Sequence, residues 1–239
     1  VEVDETQARV AADRLTADIR SGLLAPGSKL KVTELKTRYG IGASPLREAL
    51  LMVTSLGYVT GESHRGYRVA ALSEDDLADI TTARQIIETG MLRDSMTVRK
   101  DEWAVGVIAA LERLRLAVSR STLERIDNND PVGLAHRQFH TALVAGCPSE
   151  RLMTMQQLLF DQAGRYRDVM IRKVRSREDF IAIHEDLARI VLSDDIEEAC
   201  EALRSHLHLT QRDVDIAMRE EKGEKSRKRE QAAPALNPI

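Results

Sequence analysis

Ile41-Gly42-Ala43-Ser44-Pro45-Leu46-Arg47-Glu48-Ala49-Leu50 decides the fold of the N-terminal part of this chain. Ser44 is read as an N-cap, Pro45 suits the first helical position, and Glu48 falls near the first turn, where a carboxylate favours the helix dipole. A helix that starts so sharply, directly after a short helix ending at Tyr39-Gly40, has the layout of a helix-turn-helix. That motif aims the start of its second helix at the DNA major groove.

Outward from this stretch, residues 6–21 read as an amphipathic helix, with Val10, Ala11, Leu15, Ile19 and Leu23 at helical spacing. Ala25-Pro26-Gly27-Ser28 breaks it. Residues 30–39 form a second, short helix opened by Thr33, with Leu35 and Tyr39 inward, and Gly40-Ile41-Gly42 is the turn. Residues 44–56 are the third helix, its buried stripe Leu46, Ala49, Leu50 and Val53. Two short β-type runs, 58–60 and 67–69, follow, joined by a Gly-flanked tip at 61–66. Three helices and a hairpin make a winged helix-turn-helix over residues 1–70.

Residues 71–75 read as a linker. Ser73 begins a capping box with Asp76 that opens a helix over 73–95. Further helices are expected at 101–119, 120–127, 131–146, 149–172, 176–193 and 195–218, with no β signal. The fold class is therefore mainly α, the C-terminal part being an all-α bundle of six to seven helices over 76–218. Residues 219–239 carry six basic and four acidic side chains and two prolines. They read as a charged tail of frayed helix passing into disorder.

Composition narrows the function. Of the 239 residues, 43% are hydrophobic but only 3% aromatic, which favours helix over sheet. The net charge of −3 hides a split. Residues 20–69 hold eight Lys/Arg against three Asp/Glu, a net of +5, and residues 73–218 hold 19 against 26, a net of −7. A basic front end on an acidic body suits a protein that touches nucleic acid with one part only. Cys147 and Cys200 are the only cysteines, so no disulfide framework is expected. No apolar run approaches the ~18 residues of a membrane span, and the acidic start is unlike a signal peptide. The cytoplasm is the expected location. Enzyme motifs fail: His136-Arg137-Gln138-Phe139-His140 has Arg where a zinc protease needs its Glu. Neither the paired Glu-x-x-His of a di-iron bundle nor a phosphate loop, Ser elbow or dinucleotide fingerprint is present.

Arg47, three residues into the recognition helix, is placed to fork onto guanine O6 and N7 or to clamp a phosphate. The alternative is a surface Arg paired with a neighbouring Glu. Ser44 and Thr33 can donate to phosphates near two helix N-termini. Lys36 and Arg38 add charge on the flank or are simply solvated. His64, Arg65 and Gly66 form the wing tip, where Arg65 can enter a minor groove.

The remaining histidines lie in the helical part. His136 and His140 share a helical face with Val132, Phe139 and Leu143; His184 falls among Phe180, Ile183, Leu187 and Val191. His206 shares a face with Ala199, Leu203 and Thr210, while His208 should face solvent. Spacing alone leaves two readings, hydrogen-bonded core histidines or a shared metal.

The N-terminal segment resembles the winged helix-turn-helix of GntR-type bacterial transcription regulators. The resemblance rests on Leu24-Ala-Pro-Gly27, Leu30, Ser44 to Leu50, Leu56-Gly57 and Arg65-Gly66-Tyr67. The C-terminal part resembles the all-helical effector domain (FCD) of the FadR subgroup, through Arg84 and Glu88, Phe139-His140 and Leu143, His184, and His206-Leu207. Lys31 to Lys36 and Asp161 to Arg167 look like the branch that includes the carbon-starvation regulator of glutarate and 4-aminobutyrate catabolism.

The resemblance implies a homodimer reading a near-palindromic operator in double-stranded DNA. Many relatives carry Arg where this chain has Ala43, so the operator is expected to differ. It also implies a divalent metal, held in relatives by an Asp and three His. Here the Asp position is His136, and the ligand set becomes His136, His140, His184 and His206. Four imidazoles suit Zn²⁺, with Ni²⁺ or another transition ion as alternatives. In such a site the metal holds a small carboxylate effector without turning it over. Arg84 is the first protein partner for that carboxylate, with Arg165, Tyr166 and Arg167 as further candidates; Arg165 and Arg167 cannot both face one pocket. The expected function is a ligand-responsive repressor. An architectural DNA-binding dimer without effector is the alternative, and a metal-dependent enzyme a more remote one.

Overall fold

The structure is a computed structural model that describes residues 6–62, 66–98, 101–121, 130–170 and 176–232. In the N-terminal part, helix α1 (Gln7–Arg20) is capped by the Thr6 hydroxyl, which accepts from the Arg9 amide at 3.3 Å. Its Ala11, Ala12, Leu15 and Ile19 pack on Leu46, Ala49, Leu50 and Val53 of α3 (Ala43–Ser55), all buried. Between them, α2 (Val32–Tyr39) ends at Gly40, whose left-handed φ of 67° lets its amide return to the Lys36 carbonyl at 3.0 Å. Asp18 fastens α2 to α1, taking bonds from the Tyr39 hydroxyl at 2.8 Å and Arg38 at 3.1 Å.

The winged helix-turn-helix expectation is met, with three local corrections. The N-cap of helix α3 lies two residues earlier than read: it is Gly42, not Ser44, and no side chain caps the helix. Pro45 is still tolerated because its missing N–H falls in the first turn. Likewise α2 begins at Val32 with Lys31 as N-cap, not at Thr33. Leu30 is not helical: with Lys29 it forms β1 (Lys29–Leu30), which joins β2 (Val59–Glu62) and β3 (Gly66–Val69) in an antiparallel sheet of order β1-β3-β2. Lys29 pairs with Arg68 and Leu30 with Tyr67, while Val59 faces Val69 across the other ladder. Pairing satisfies the second edge of β3 and turns Leu30 into the core.

Six helices make the body among the described residues: α4 (Glu74–Val98), α5 (Asp101–Arg120), α6 (Pro131–Leu143), α7 (Glu150–Met170), α8 (Arg177–Val191) and α9 (Ile196–Ala232). Their common core includes Met91, Leu92, Trp103, Leu114, Phe139, Leu143, Val191 and Leu203. Ser73 caps α4 by accepting from the Asp76 amide at 3.0 Å, so α4 begins inside the stretch read as linker. Asp130 caps α6 and Ser176 caps α8 in the same way. The helix expected at 120–127 lies largely outside the described residues, as do residues 171–172 at the end of the one read as 149–172. The α6 helix stops at Leu143 instead of 146, its end tightened by short back-bonds such as Val144 N–H to Thr141 O. Helix α9 continues to Ala232 where frayed helix and disorder were expected. The extension is rich in Glu, Lys and Arg, strong helix formers that need no core to favour the helical state.

Helix α7 joins body to head. Arg165 donates to the Gly57 carbonyl at 2.7 Å and to the Ala70 carbonyl at 2.8 Å. Gln162 donates to the Leu56 carbonyl, and the Tyr58 hydroxyl donates to the Asp161 carbonyl, both at 3.2 Å. Tyr166 accepts from the Ser73 amide at 3.4 Å and donates to the Asp76 carboxylate. A small core of Leu77, Ile80, Ala163, Tyr166, Val214 and Met218 closes the joint from the body side.

Gly57 has a φ of +78°, and a Cβ there would stand 2.7 Å from Gln162 Nε2. Gln162 can swing away, but the left-handed backbone cannot be relieved. Gly57→Ala is therefore expected to destabilise the chain by about 1–2 kcal/mol, read as a lower urea midpoint, with Gln162 displaced from Leu56.

Candidate functional site

Four imidazoles meet in the middle of the helical body. His136 and His140 project from one face of α6, His184 from α8 and His206 from α9, and all four are buried. One nitrogen of each lies within 4.8 Å of the others. His136 Nε2 and His140 Nε2 are 3.0 Å apart, and the ring centroids of His184 and His206 are 4.8 Å apart. Tetrahedral Zn²⁺, with bonds of ~2.0–2.1 Å, sets its nitrogens about 3.3 Å from one another, so small side-chain shifts would close this set around an ion.

The protonation chemistry fits the same use. His184 Nδ1 contacts the Phe180 carbonyl; a carbonyl only accepts, so Nδ1 carries the proton and the lone pair is on Nε2. Burial pushes His136 and His140 well below the ordinary imidazole range; the neighbouring histidines and Arg84 push the same way at both, and Arg167 does so at His136. Both rings are thus held neutral, the form that ligates metal. His140 Nδ1 is buried without a hydrogen-bond partner among the described residues, a polar atom that this donor set leaves unexplained. The residues present fit a divalent ion with a preference for nitrogen ligands.

All three phenylalanines of the chain wall this cluster. Phe160 lies 5.5 and 5.4 Å from His136 and His140, Phe139 5.4 Å from His184, and Phe180 4.5 Å from His184. Three guanidiniums stand over the Phe160 ring, Arg167 at 4.4 Å, Arg84 at 5.3 Å and Arg137 at 5.6 Å from its centroid. Arg84 also holds Glu88, one turn on, at 2.6 Å, and both are buried. The structure therefore brings Arg84 to the cluster already ion-paired.

Of the other residues tied to an effector, Arg165 and Tyr166 do not reach this chamber. Their side chains are spent on Gly57, Ala70, Ser73 and Asp76 at the joint. Arg167 does reach it, two residues further and on another face of α7. Arg165 lies at the joint and Arg167 over the Phe160 ring, so the two side chains face different surroundings. His208 is exposed, as its helical phase required. Sequence reasoning did not single out Phe160, the Arg137–Asp161 ion pair that ties α6 to α7, or the buried Gln156. A stripe at 156, 160, 163 and 167 was the available signal.

At the other end of the molecule, Thr33, Lys36, Ser44 and Arg47 are all exposed. Arg47 makes no ion pair among the described residues, so its pairing with a neighbouring Glu is not realised. Arg38 is engaged with Asp18. Gly66 opens β3 with a φ of +93°, and His64 and Arg65 lie outside the described residues.

Because His136 and His140 are kept neutral when folded, the unfolded chain binds their protons first as pH falls. Their contribution is complete above the ordinary pKa of 6.5 and is lost progressively below it. The metal-free protein is expected to be about 1–3 kcal/mol less stable at pH 5.5 than at pH 7.5. Chemical denaturation at the two pH values checks this, and the His136→Leu, His140→Leu double variant should flatten the difference.

Comparison with known proteins bears on both ends. The bacterial regulatory proteins, gntR family, match residues 7–69, and the FCD domain matches residues 79–209. The chain is 38% identical to the HTH-type transcriptional repressor GlaR of Escherichia coli K12, over 81% of this chain and 89% of that one. It is 32% identical to the HTH-type transcriptional regulator BphR of Paraburkholderia xenovorans LB400, over 81% of this chain and 79% of that one. A crystal structure of a GntR regulator from Rhodococcus sp. RHA1 shares the fold with a TM-score of 0.70, at 19% identity, over 88% of this chain and 98% of that one. The chain belongs to the GntR family of bacterial regulatory proteins and carries an FCD domain, which makes it a DNA-binding transcription regulator and not an enzyme.

Proposed function

We propose that this regulator is a repressor whose grip on its operator is set by a small carboxylate bound in the histidine chamber. The observation that carries the reading is the two-faced build of α7. One face presents Phe160, with Arg167 over its ring, to His136 and His140, and another presents Gln162, Arg165 and Tyr166 to the DNA-reading head and linker. Repression is favoured by the likeness to GlaR, itself named a repressor.

His136, His140, His184 and His206 would hold the metal, with Zn²⁺ the best match and Ni²⁺ or another borderline ion next. When bound, the ion supplies positive charge to which a carboxylate oxygen is drawn. Arg167 and Arg84 add cationic character to the same chamber, and the phenylalanine walls exclude water and strengthen every charge interaction inside. No acidic side chain belongs to the donor set, so the charge of a bound ion is balanced by an entering anion.

The head reads DNA through α3, with Arg47 on a base edge and Ser44, Thr33 and Lys36 on phosphates. The wing tip, His64, Arg65 and Gly66, reaches the adjacent groove. One such head is small, and two in a homodimer on a near-palindromic operator provide the affinity. Ala43 supplies no cation at the start of α3, which shifts the preferred half-site from that of relatives with Arg there. No helix among the described residues is long and apolar enough to cross a membrane, and the regulator works in the cytoplasm beside its operator.

Fluorescence anisotropy on DNA upstream of the protein's own gene, with excess unrelated DNA, tests this. Arg47→Ala is expected to weaken specific binding by about 1–3 kcal/mol, or roughly 5- to 150-fold, with the body's melting unchanged. Binding that ignores sequence and does not respond to any small acid would leave an architectural dimer as the better description. Coupling between effector and operator of ~1–3 kcal/mol corresponds to a 5- to 150-fold change in operator affinity. Arg165→Ala is expected to keep metal binding at the wild-type level while that ratio falls towards one, measured by titrating operator with and without the acid found active.

A further inference from the structure

Gln156 of α7 is 0% exposed, and neither its Oε1 nor its Nε2 has a hydrogen-bond partner among the described residues. A carboxamide carries acceptor and donors together, and a side chain that buries both unmet calls for a partner. Gln156 precedes Phe160 by one helical turn and shares its face. That face meets the histidines: Phe160 stands 5.5 Å from His136 and 5.4 Å from His140. Arg137 of α6, next to His136, is paired with Asp161 of α7, next to Phe160. One turn from this anchor towards the α6–α7 connection lead from His136 to His140 on one helix and from Phe160 to Gln156 on the other. His140 is the ring whose Nδ1 is buried without a partner.

With the proton on His140 Nδ1 the two unmet groups are complementary, an imidazole N–H and an amide oxygen. His184 shows the pattern already satisfied, with its Nδ1 on the Phe180 carbonyl. Ligating histidines are held in this way, the remote ring nitrogen donating to an oxygen that fixes tautomer and ring orientation. We propose that Gln156 is the positioning residue of the metal centre. Its Oε1 accepts from His140 Nδ1–H, which commits the His140 Nε2 lone pair to the ion, and its Nε2 is turned into the chamber as a donor to a bound anion. The proposal rests on the metal reading of the four histidines.

The test is Zn²⁺ affinity of the full chain, by competition with a chromophoric chelator, for wild type, Gln156→Leu and Gln156→Glu. Leu removes the acceptor, and Zn²⁺ binding is expected to weaken 10- to 100-fold. Thermal melting of the metal-free Leu variant should equal or exceed wild type, because an unmet polar group has been removed. Glu keeps the acceptor and should return Zn²⁺ affinity to within a few-fold of wild type. Equal Zn²⁺ affinity in wild type and Leu overturns the role of Gln156 while leaving the metal site intact. A Glu variant as weak as Leu overturns it too, since the oxygen would then not be what matters. Should the Leu variant fail to fold, Gln156→Met against Gln156→Glu makes the same comparison. Absence of Zn²⁺ and Ni²⁺ binding in wild type removes the metal reading itself, and this inference with it.

Discussion

Two backbone carbonyls, Gly57 O and Ala70 O, are held by one guanidinium, that of Arg165, and the placement of the DNA-reading head on the helical body depends on that grip. The two carbonyls flank the wing, one just before β2 and one just after β3, so a single side chain clasps the sheet at its base. Bonds from a charged donor contribute about 1.5–3 kcal/mol each, more than the ~1 kcal/mol of a neutral pair. Burial works against the charge of Arg165, while Tyr166, Asp76 and Tyr58 around it favour the charge. The surrounding bonds from Gln162, Tyr58 and Tyr166 make the joint a patch and not a pivot.

The same helix serves the chamber. At 100° per residue, Arg165 lies about 140° round α7 from Phe160, whereas Arg167 comes back to within about 20°. Phe160 and Arg167 therefore work as one surface against the histidines, and Arg165 works on another. A rotation or slide of α7 of the kind that packed helices permit is felt at both surfaces, because close-packed interiors do not absorb displacement. Arg137 and Asp161 bring α6, the carrier of two of the four histidines, into the same mechanical unit. The route from chamber to head is thus one helix thick.

Much of this was legible in the residues themselves. The i, i+4 spacing of His136 and His140, and the apolar stripes carrying His184 and His206, are local patterns that survive folding unchanged. What was illegible depended on tertiary placement. Lys29 and Leu30 make a strand of two residues, too short for a period, and exist as strand only because β3 lies alongside. Ser44 satisfies every preference for a cap, yet Gly42 has the extended backbone the cap needs, and the helix starts there. Arg165 and Arg167 look alike in sequence and differ by the phase of one helix relative to its neighbours. Gln156 carries no signal of burial in its own identity, since glutamines are mostly exposed.

The Arg84–Glu88 pair sits one turn apart on α4, buried on both sides and adjoining Phe160. Losing one member of such a pair strands the other charge away from water, at about 3–5 kcal/mol, whereas replacing both by apolar groups of similar volume is near neutral. The consequence is evolutionary. Single steps away from this pair pass through a poorly folded ancestor, so the two positions are expected to change together or not at all. Lineages of this regulator are thereby steered to vary the rest of the chamber around a fixed Arg and Glu.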